Sequence, residues 1–170
     1  HVAESMKSPY IPIYIFDSEL IKYPDTSDRH LQFVFDSIID INRKLSEFNK
    51  EVKIFYGESI KIFEDLIKQF KIEGIYSYRE SGIKSCWKRD LKIKCLCADN
   101  GINWTEFQRD GIIRGIKNRK NWNKNWHIFM HSEIINNNFN KQEKIDFKNN
   151  FTLPASFLTK INKNKNIFQP

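Results

Sequence analysis

A chain of 170 residues with 40% hydrophobic and 14% aromatic residues has the size and composition of one folded domain. This excludes a disordered, collagen-like or disulfide-scaffold chain. The longest uncharged apolar run, Ser8 to Phe16, has about half the length a membrane-crossing helix needs, and no charged-then-apolar leader precedes it. Three cysteines, Cys86, Cys95 and Cys97, stand at no paired spacing and read as reduced thiols. The expectation is a soluble, cytoplasmic protein without membrane contact.

The net charge of +7 is unevenly placed: residues 84–130 hold 11 basic against 4 acidic groups, whereas residues 1–83 hold 11 against 14. The basic stretch is interleaved with Trp87, Trp104, Trp122 and Trp126. That pattern suits phosphate contact with rings for stacking, or equally a solvated Lys-rich face.

In chain order, residues 10–16 (YIPIYIF) read as a short buried strand that ends at Asp17. Ser27 caps a helix with Leu31, Val34, Phe35, Ile38, Ile41, Leu45 and Phe48 on one face. Residues 52–57 form a second strand ended by glycine, and Ser59 caps a second helix with Ile60, Phe63, Leu66, Ile67 and Phe70 inward. Gly74 to Tyr78 is a third strand and 87–99 a third helix, with Asn100-Gly101 as its left-handed stop. Ile102 to Thr105 is a fourth strand.

Strand and helix alternation of this length gives the fold class: α/β, an open, parallel, doubly wound, Rossmann-like sheet with helices on both faces, followed by an irregular extension. Residues 1–131 are the α/β domain, preceded only by a helical stub over Val2 to Met6 where a doubly wound domain normally opens with a strand. Residues 132–170, with an Asn-rich patch and no sustained period, are a linker or extension. Ligands of such sheets bind at the carboxyl ends of the strands, which points to Asp17, Gly57-Glu58, Tyr78-Arg79-Glu80 and the stretch after Thr105.

The dinucleotide, P-loop and hydrolase-elbow glycine motifs are absent. His127 and His131 are four apart on a helix but lack a third ligand, so no metal site is expected. Cys95 and Cys97, two apart on a helix, read as packing. The Trp122, Trp126 and Met130 stripe reads as core packing or docking.

Taken in order, IPIYIFD, SDRHLQFVFDSIIDINRKL, VKIFYGE, IYSYRESG with KRD, and GINWTEFQRDGIIRGIKNRKNWNKNW resemble the amino-terminal domain of the DNA photolyase and cryptochrome family over residues 10–130. The family's opening strand, with its Arg-Asp-Leu-Arg signature, is not in this chain. The resemblance implies a light-gathering or docking module that precedes a helical domain absent from this chain; the helical domain holds FAD and serves light-driven DNA repair or blue-light signalling. On that basis 132–170 leads towards the helical domain, and a full-length protein would be a DNA lyase while this portion has no catalytic residue of its own. It further implies an antenna chromophore (a folate, a deazaflavin or a flavin) contacted by Tyr14, Asp17, Arg29, Glu80 and Arg89. Arg114, Arg119, Lys120, Trp122 and Trp126 would dock the helical domain or the phosphates of damaged DNA. The rival readings are a stand-alone nucleotide- or flavin-binding sensor domain and a basic nucleic-acid-binding adaptor.

Overall fold

A computed structural model of the chain describes residues 1–6, 8–80, 82–112 and 115–162. It holds four strands, β1 (Ile13–Asp17), β2 (Lys53–Gly57), β3 (Gly74–Tyr78) and β4 (Asn103–Phe107). Six helices accompany them: α1 (Val2–Ser5), α2 (Asp28–Leu45), α3 (Ser59–Gln69), α4 (Lys84–Asp99), α5 (Trp122–Met130) and α6 (Ala155–Asn162). The expected parallel α/β architecture is present: β1 pairs with β2 across α2, and β3 with β4 across α4, both in parallel register. The hydrogen-bonded ladders join the strands as these two pairs. The chain divides into two compact units, one of His1–Met6 with Ile72–Asn138 and one of Lys7–Lys71 with Phe139–Pro170.

In the unit built on β1 and β2, strand alternation sorts the side chains onto two faces. Phe16 lies on the face covered by α2 and α6, in a core with Leu31, Phe157 and Ile161. Phe157 stacks its ring against Phe16 at 5.0 Å and Tyr56 at 5.2 Å. On the opposite face Phe55 meets Phe147 at 5.9 Å, and Phe147 in turn meets Phe70 at the same separation. Helix α2 starts as its sequence dictates, with the Ser27 hydroxyl accepting from the His30 N–H at 3.2 Å. Of its expected apolar face, Leu31, Ile38 and Leu45 are buried while Ile41 is exposed.

Helix α3 departs from the expectation in two ways. Its N-cap position is Glu58, and Ser59 is the first helical residue, its hydroxyl turned to Asp17 rather than back to the helix. Its most buried side chain is Ile62, fully enclosed, with Leu66 beside it one turn on. The apolar face is therefore centred on Ile62, because Asp17 at the end of β1 fixes the rotation of the first turn.

Residues 139–162, which the sequence presents as an extension, lie against this unit. The Phe151 carbonyl accepts from the Tyr56 N–H at 2.9 Å on the outer edge of β2, and Asn149 donates to the Ile54 carbonyl at 3.1 Å. Gln142 bridges both backbone groups of Tyr10, and Gln69 both backbone groups of Lys148. Helix α6 begins just after Pro154, whose carbonyl accepts from the Phe157 and Leu158 N–H groups. Eight residues give too few turns for a period to show in sequence.

In the unit built on β3 and β4, Ile93 and Cys97 are buried one turn apart on α4, together with Ile102. Helix α4 begins at Lys84, three residues before its expected start, and stops where Gly101 takes a φ of 67°, as the Asn-Gly pair predicts. The Trp104 indole donates to the Ser77 hydroxyl at 2.8 Å across the strand pair. Gly111, with a φ of 69°, lies so close to Trp126 and Phe129 of α5 that an added Cβ would sit 2.9 Å from the Trp126 ring.

Phe157, 4% exposed, is the test of α6 as a core element. Phe157→Ala should lower stability by about 3–5 kcal/mol in urea titration. Ile134→Ala, at a side chain 88% exposed, should stay within about 0.5 kcal/mol of the parent.

Candidate functional site

The carboxyl end of β1 is organised around Asp17, which is 6% exposed. One carboxylate oxygen accepts the Glu19 N–H at 2.9 Å and the Leu20 N–H at 3.3 Å. The other accepts the Ser59 N–H at 3.1 Å and the Ser59 hydroxyl. Burial pushes the Asp17 carboxyl up, but the Ser59 hydroxyl and the Ser59, Glu19 and Leu20 N–H groups together hold it below the ordinary aspartate value. Asp17 thus occupies the first turn of α3 with an internal anion, the position where a doubly wound nucleotide-binding sheet would present free N–H groups to phosphate. Gly57, at the end of β2, leaves room for the Phe151 ring, which would lie 3.1 Å from an added Cβ. The carboxyl end of this strand pair is built to pack and not to cradle a phosphate.

The expected antenna set is spread over several surroundings. Tyr14, 37% exposed, stacks edge-on against Phe16 at 4.9 Å and lies on the α2 and α6 side of β1, whereas Asp17, three residues on, faces α3. Arg29 stands exposed in the first turn of α2, beside Asp28, which pairs with Lys160 of α6 at 2.8 Å. Glu80 and Arg89 belong to the other unit. Glu80 accepts from the Gly82 N–H at 2.8 Å, and Arg89 forks onto Asp90, from Nε at 2.9 Å and from Nη2 at 2.7 Å. Burial and the nearby Glu80 and Asp90 carboxylates push the Cys86 thiol up despite the Arg89 guanidinium, so it stays protonated.

Of the expected docking residues, Arg119, Lys120 and Trp122 are exposed and Trp126 is half-buried against Gly111. Trp122 and Trp126 stack, with ring centres 6.4 Å apart and planes inclined by 17°. Arg114 lies outside the described residues. No cluster of three or more metal-ligating side chains occurs among the described residues, and no helix among them is long and apolar enough to cross a membrane.

Sequence reasoning missed the groups that close the amino edge of β1 and β2. Lys50, 4% exposed, donates to the Asn140 carbonyl at 2.5 Å and lies over the Tyr10 and Phe139 rings. Two open cavities of about 380 and 400 Å³ adjoin there and share Asn42, Glu51, Lys53, Lys144 and Ile145. No motif marks them, because their walls come from segments about 90 residues apart, as the Lys50 to Asn140 bond shows.

Two parallel β-α-β units, with the strand-end loops as the candidate site, define an α/β domain of the doubly wound class. The sequence model of the DNA photolyase family matches residues 1–122, and the chain belongs to that family. Cryptochrome-1 of Drosophila melanogaster is 29% identical over 100 residues, covering 56% of this chain and 18% of that protein. Cryptochrome-1 of Aedes aegypti is 28% identical over 87 residues, covering 51% and 16%. Among solved structures the chain is similar to an archaeal photolyase from Sulfolobus tokodaii, with a TM-score of 0.63 at 19% identity, over 94% of this chain and 37% of that one. That photolyase was crystallised with two FAD molecules and reported with the implication of a novel light-harvesting cofactor. The chain spans under a fifth of the length of the curated relatives it matches.

Asp17→Asn replaces two acceptor oxygens by one acceptor and one donor facing Ser59. It should cost about 1–3 kcal/mol at neutral pH. Because the folded-state pKa is depressed, the Asp17 contribution is complete above the unfolded carboxyl pKa of about 3.9 and is lost as pH falls through the folded value. The gap between parent and variant in urea midpoint should therefore close on acidification.

Proposed function

We propose that this chain is the α/β module of a longer photolyase- or cryptochrome-type flavoprotein, serving light gathering or docking for an FAD-bearing helical domain that acts in light-driven DNA repair or blue-light signalling. The family match over residues 1–122 carries this reading. The two-FAD archaeal photolyase supports flavin-type chromophores in proteins of this fold.

The side chains fit an antenna group selectively. Tyr14 offers a partly exposed ring and Arg29 an exposed guanidinium at the start of α2, a pair suited to stacking on a planar ring and to forking onto a carboxylate or phosphate. Asp17 does not fit as a contact, since both of its oxygens are already engaged by the backbone and Ser59. Arg89 already has its guanidinium forked onto Asp90. Glu80 has one oxygen directed to the Gly82 N–H, and its second oxygen remains as an acceptor. When bound, the chromophore would supply light absorption; the protein's part is to hold and orient it.

The stand-alone nucleotide sensor is the weaker reading, because the first turn of α3 is closed by Asp17 and the chain lacks a phosphate-cradling glycine loop. Absorbance and fluorescence from 300 to 500 nm separate the two. A flavin, deazaflavin or folate band retained or taken up by this chain supports the antenna role. A longer protein that is colourless and takes up no added flavin overturns it. Arg29→Ala and Tyr14→Ala should weaken chromophore binding by about 10- to 100-fold, the equivalent of a lost charge-assisted bond or ring contact. Their far-UV circular dichroism should stay unchanged.

A further inference from the structure

Helix α4 carries apolar side chains on two opposite sides. Ile93 and Cys97 are buried in the β3 and β4 unit. Two positions back along the chain, about 200° around the helix, Leu91 and Cys95 face solvent. With Trp87 and Ala98, also exposed, they form a row spaced by four, four and three residues, which places successive side chains on one helix face. Trp87 is 49% and Leu91 63% exposed. A helix that is apolar on both sides belongs between two layers, and the described residues supply only the inner one.

The row is bordered by charge of one sign. By helical position Lys88 and Lys92 lie along one side of it, Lys94 along the other, and Lys84 at its amino end. All four are exposed, and none forms an ion pair with a described residue. Lys84, Lys88 and Lys92 follow one another at four-residue spacing, where like charges repel across a turn. Lys84 also stands in the first turn, which has no acidic residue and no side-chain cap from Ile83, although the helix dipole there favours acids. Of the two acids of α4, Asp90 is engaged by Arg89 and Asp99 is the last residue. One face thus combines an exposed apolar row with a deficit of negative charge.

We propose that the row of Trp87, Leu91, Cys95 and Ala98, with its lysine borders, docks an acidic amphipathic helix of a separate protein. The partner's apolar side chains lie on the row and its carboxylates over the lysines. The charge pattern excludes a second copy docked through the same face, since lysines would meet lysines. An anionic bilayer would match Trp87, Leu91 and the lysines, but Cys95 and Ala98 offer little apolar volume to immerse. Side chains that small let a second helix axis come close, beside the larger Trp87 and Leu91 as anchors. The surface uses none of the residues of the chromophore reading, so the two succeed or fail separately.

The test is fluorescence anisotropy of a labelled synthetic helical peptide, with leucines one turn apart between flanking glutamates, titrated with the 170-residue chain. Binding should saturate and weaken with added salt. Leu91→Glu should weaken it by about 30-fold, the loss of one anchor. A Lys88→Glu, Lys92→Glu double variant should reverse the preference, binding a lysine-flanked version of the peptide better than the glutamate-flanked one. Absence of binding, or equal affinity of parent and double variant for the glutamate peptide, would overturn the proposal. Adsorption to vesicles of phosphatidylserine and phosphatidylcholine in equal parts that the peptide does not displace would reassign the face to a bilayer. Alkylation of Cys95 by iodoacetamide, followed by peptide mass spectrometry, should be slowed by the peptide and remain fast in any longer form of the protein alone. Protection of Cys95 in that longer form without a partner would overturn the separate partner and assign the face to contact within one protein. Far-UV circular dichroism of each variant separates lost contact from lost folding.

Discussion

A single buried carboxylate holds the joint on which the β1 and β2 unit is built. Asp17 ends β1, and with four hydrogen bonds it fixes both the turn that follows it and the first turn of α3. The cost of burying an anion is offset because each acceptor position faces a donor that would otherwise lack a partner at a turn or helix start. That one arrangement rotates α3 so that Ile62 faces the core, and it satisfies internally the N–H groups that another protein of this class would direct at phosphate. Gly57 completes the closure by making room for Phe151. The geometry that stabilises the strand ends is also what restricts their chemistry.

The tail shows how an irregular segment is held without a ladder of its own. A side-chain amide presents a donor and an acceptor side by side, so it can bridge the N–H and C=O of a single residue as a neighbouring strand would. Gln142 does this at Tyr10, Gln69 at Lys148 and Asn42 at Val52, with distances from 2.7 to 3.4 Å. Each bond contributes on the order of 1 kcal/mol, a modest amount beside the burial of Phe147, Phe157 and Ile161, but it fixes the path that brings those rings to the sheet.

The two units differ in the chemistry they present. The one built on β1 and β2 holds Tyr14, 37% exposed, in β1 and an exposed Arg29 in the first turn of α2. The one built on β3 and β4 carries Lys117, Arg119, Lys120 and Lys124 along the sequence around the start of α5, where Trp122 stacks on Trp126. The family match over residues 1–122 ends at the first residue of α5.

What the sequence determined by itself was local. Alternation of β-branched runs with 3.6-residue periods set the strands and the helices between them, Ser27 set the start of α2, and Asn100-Gly101 set the end of α4, because each signal lies within a few residues of its effect. The ordered motifs from residue 10 to 130 were also enough to reveal the family. The partner of each polar group was decided only by the tertiary structure. Ser59 reads as a cap until Asp17, 42 positions earlier, takes its hydroxyl. Tyr14 and Asp17 read as one site until strand alternation turns them to opposite faces, and Arg89 forks onto its neighbour Asp90. Residues 139–162 carry no period, since their order comes from contacts with residues about 80 to 130 positions away. Hydrogen bonds and burial at that separation leave no local pattern to read.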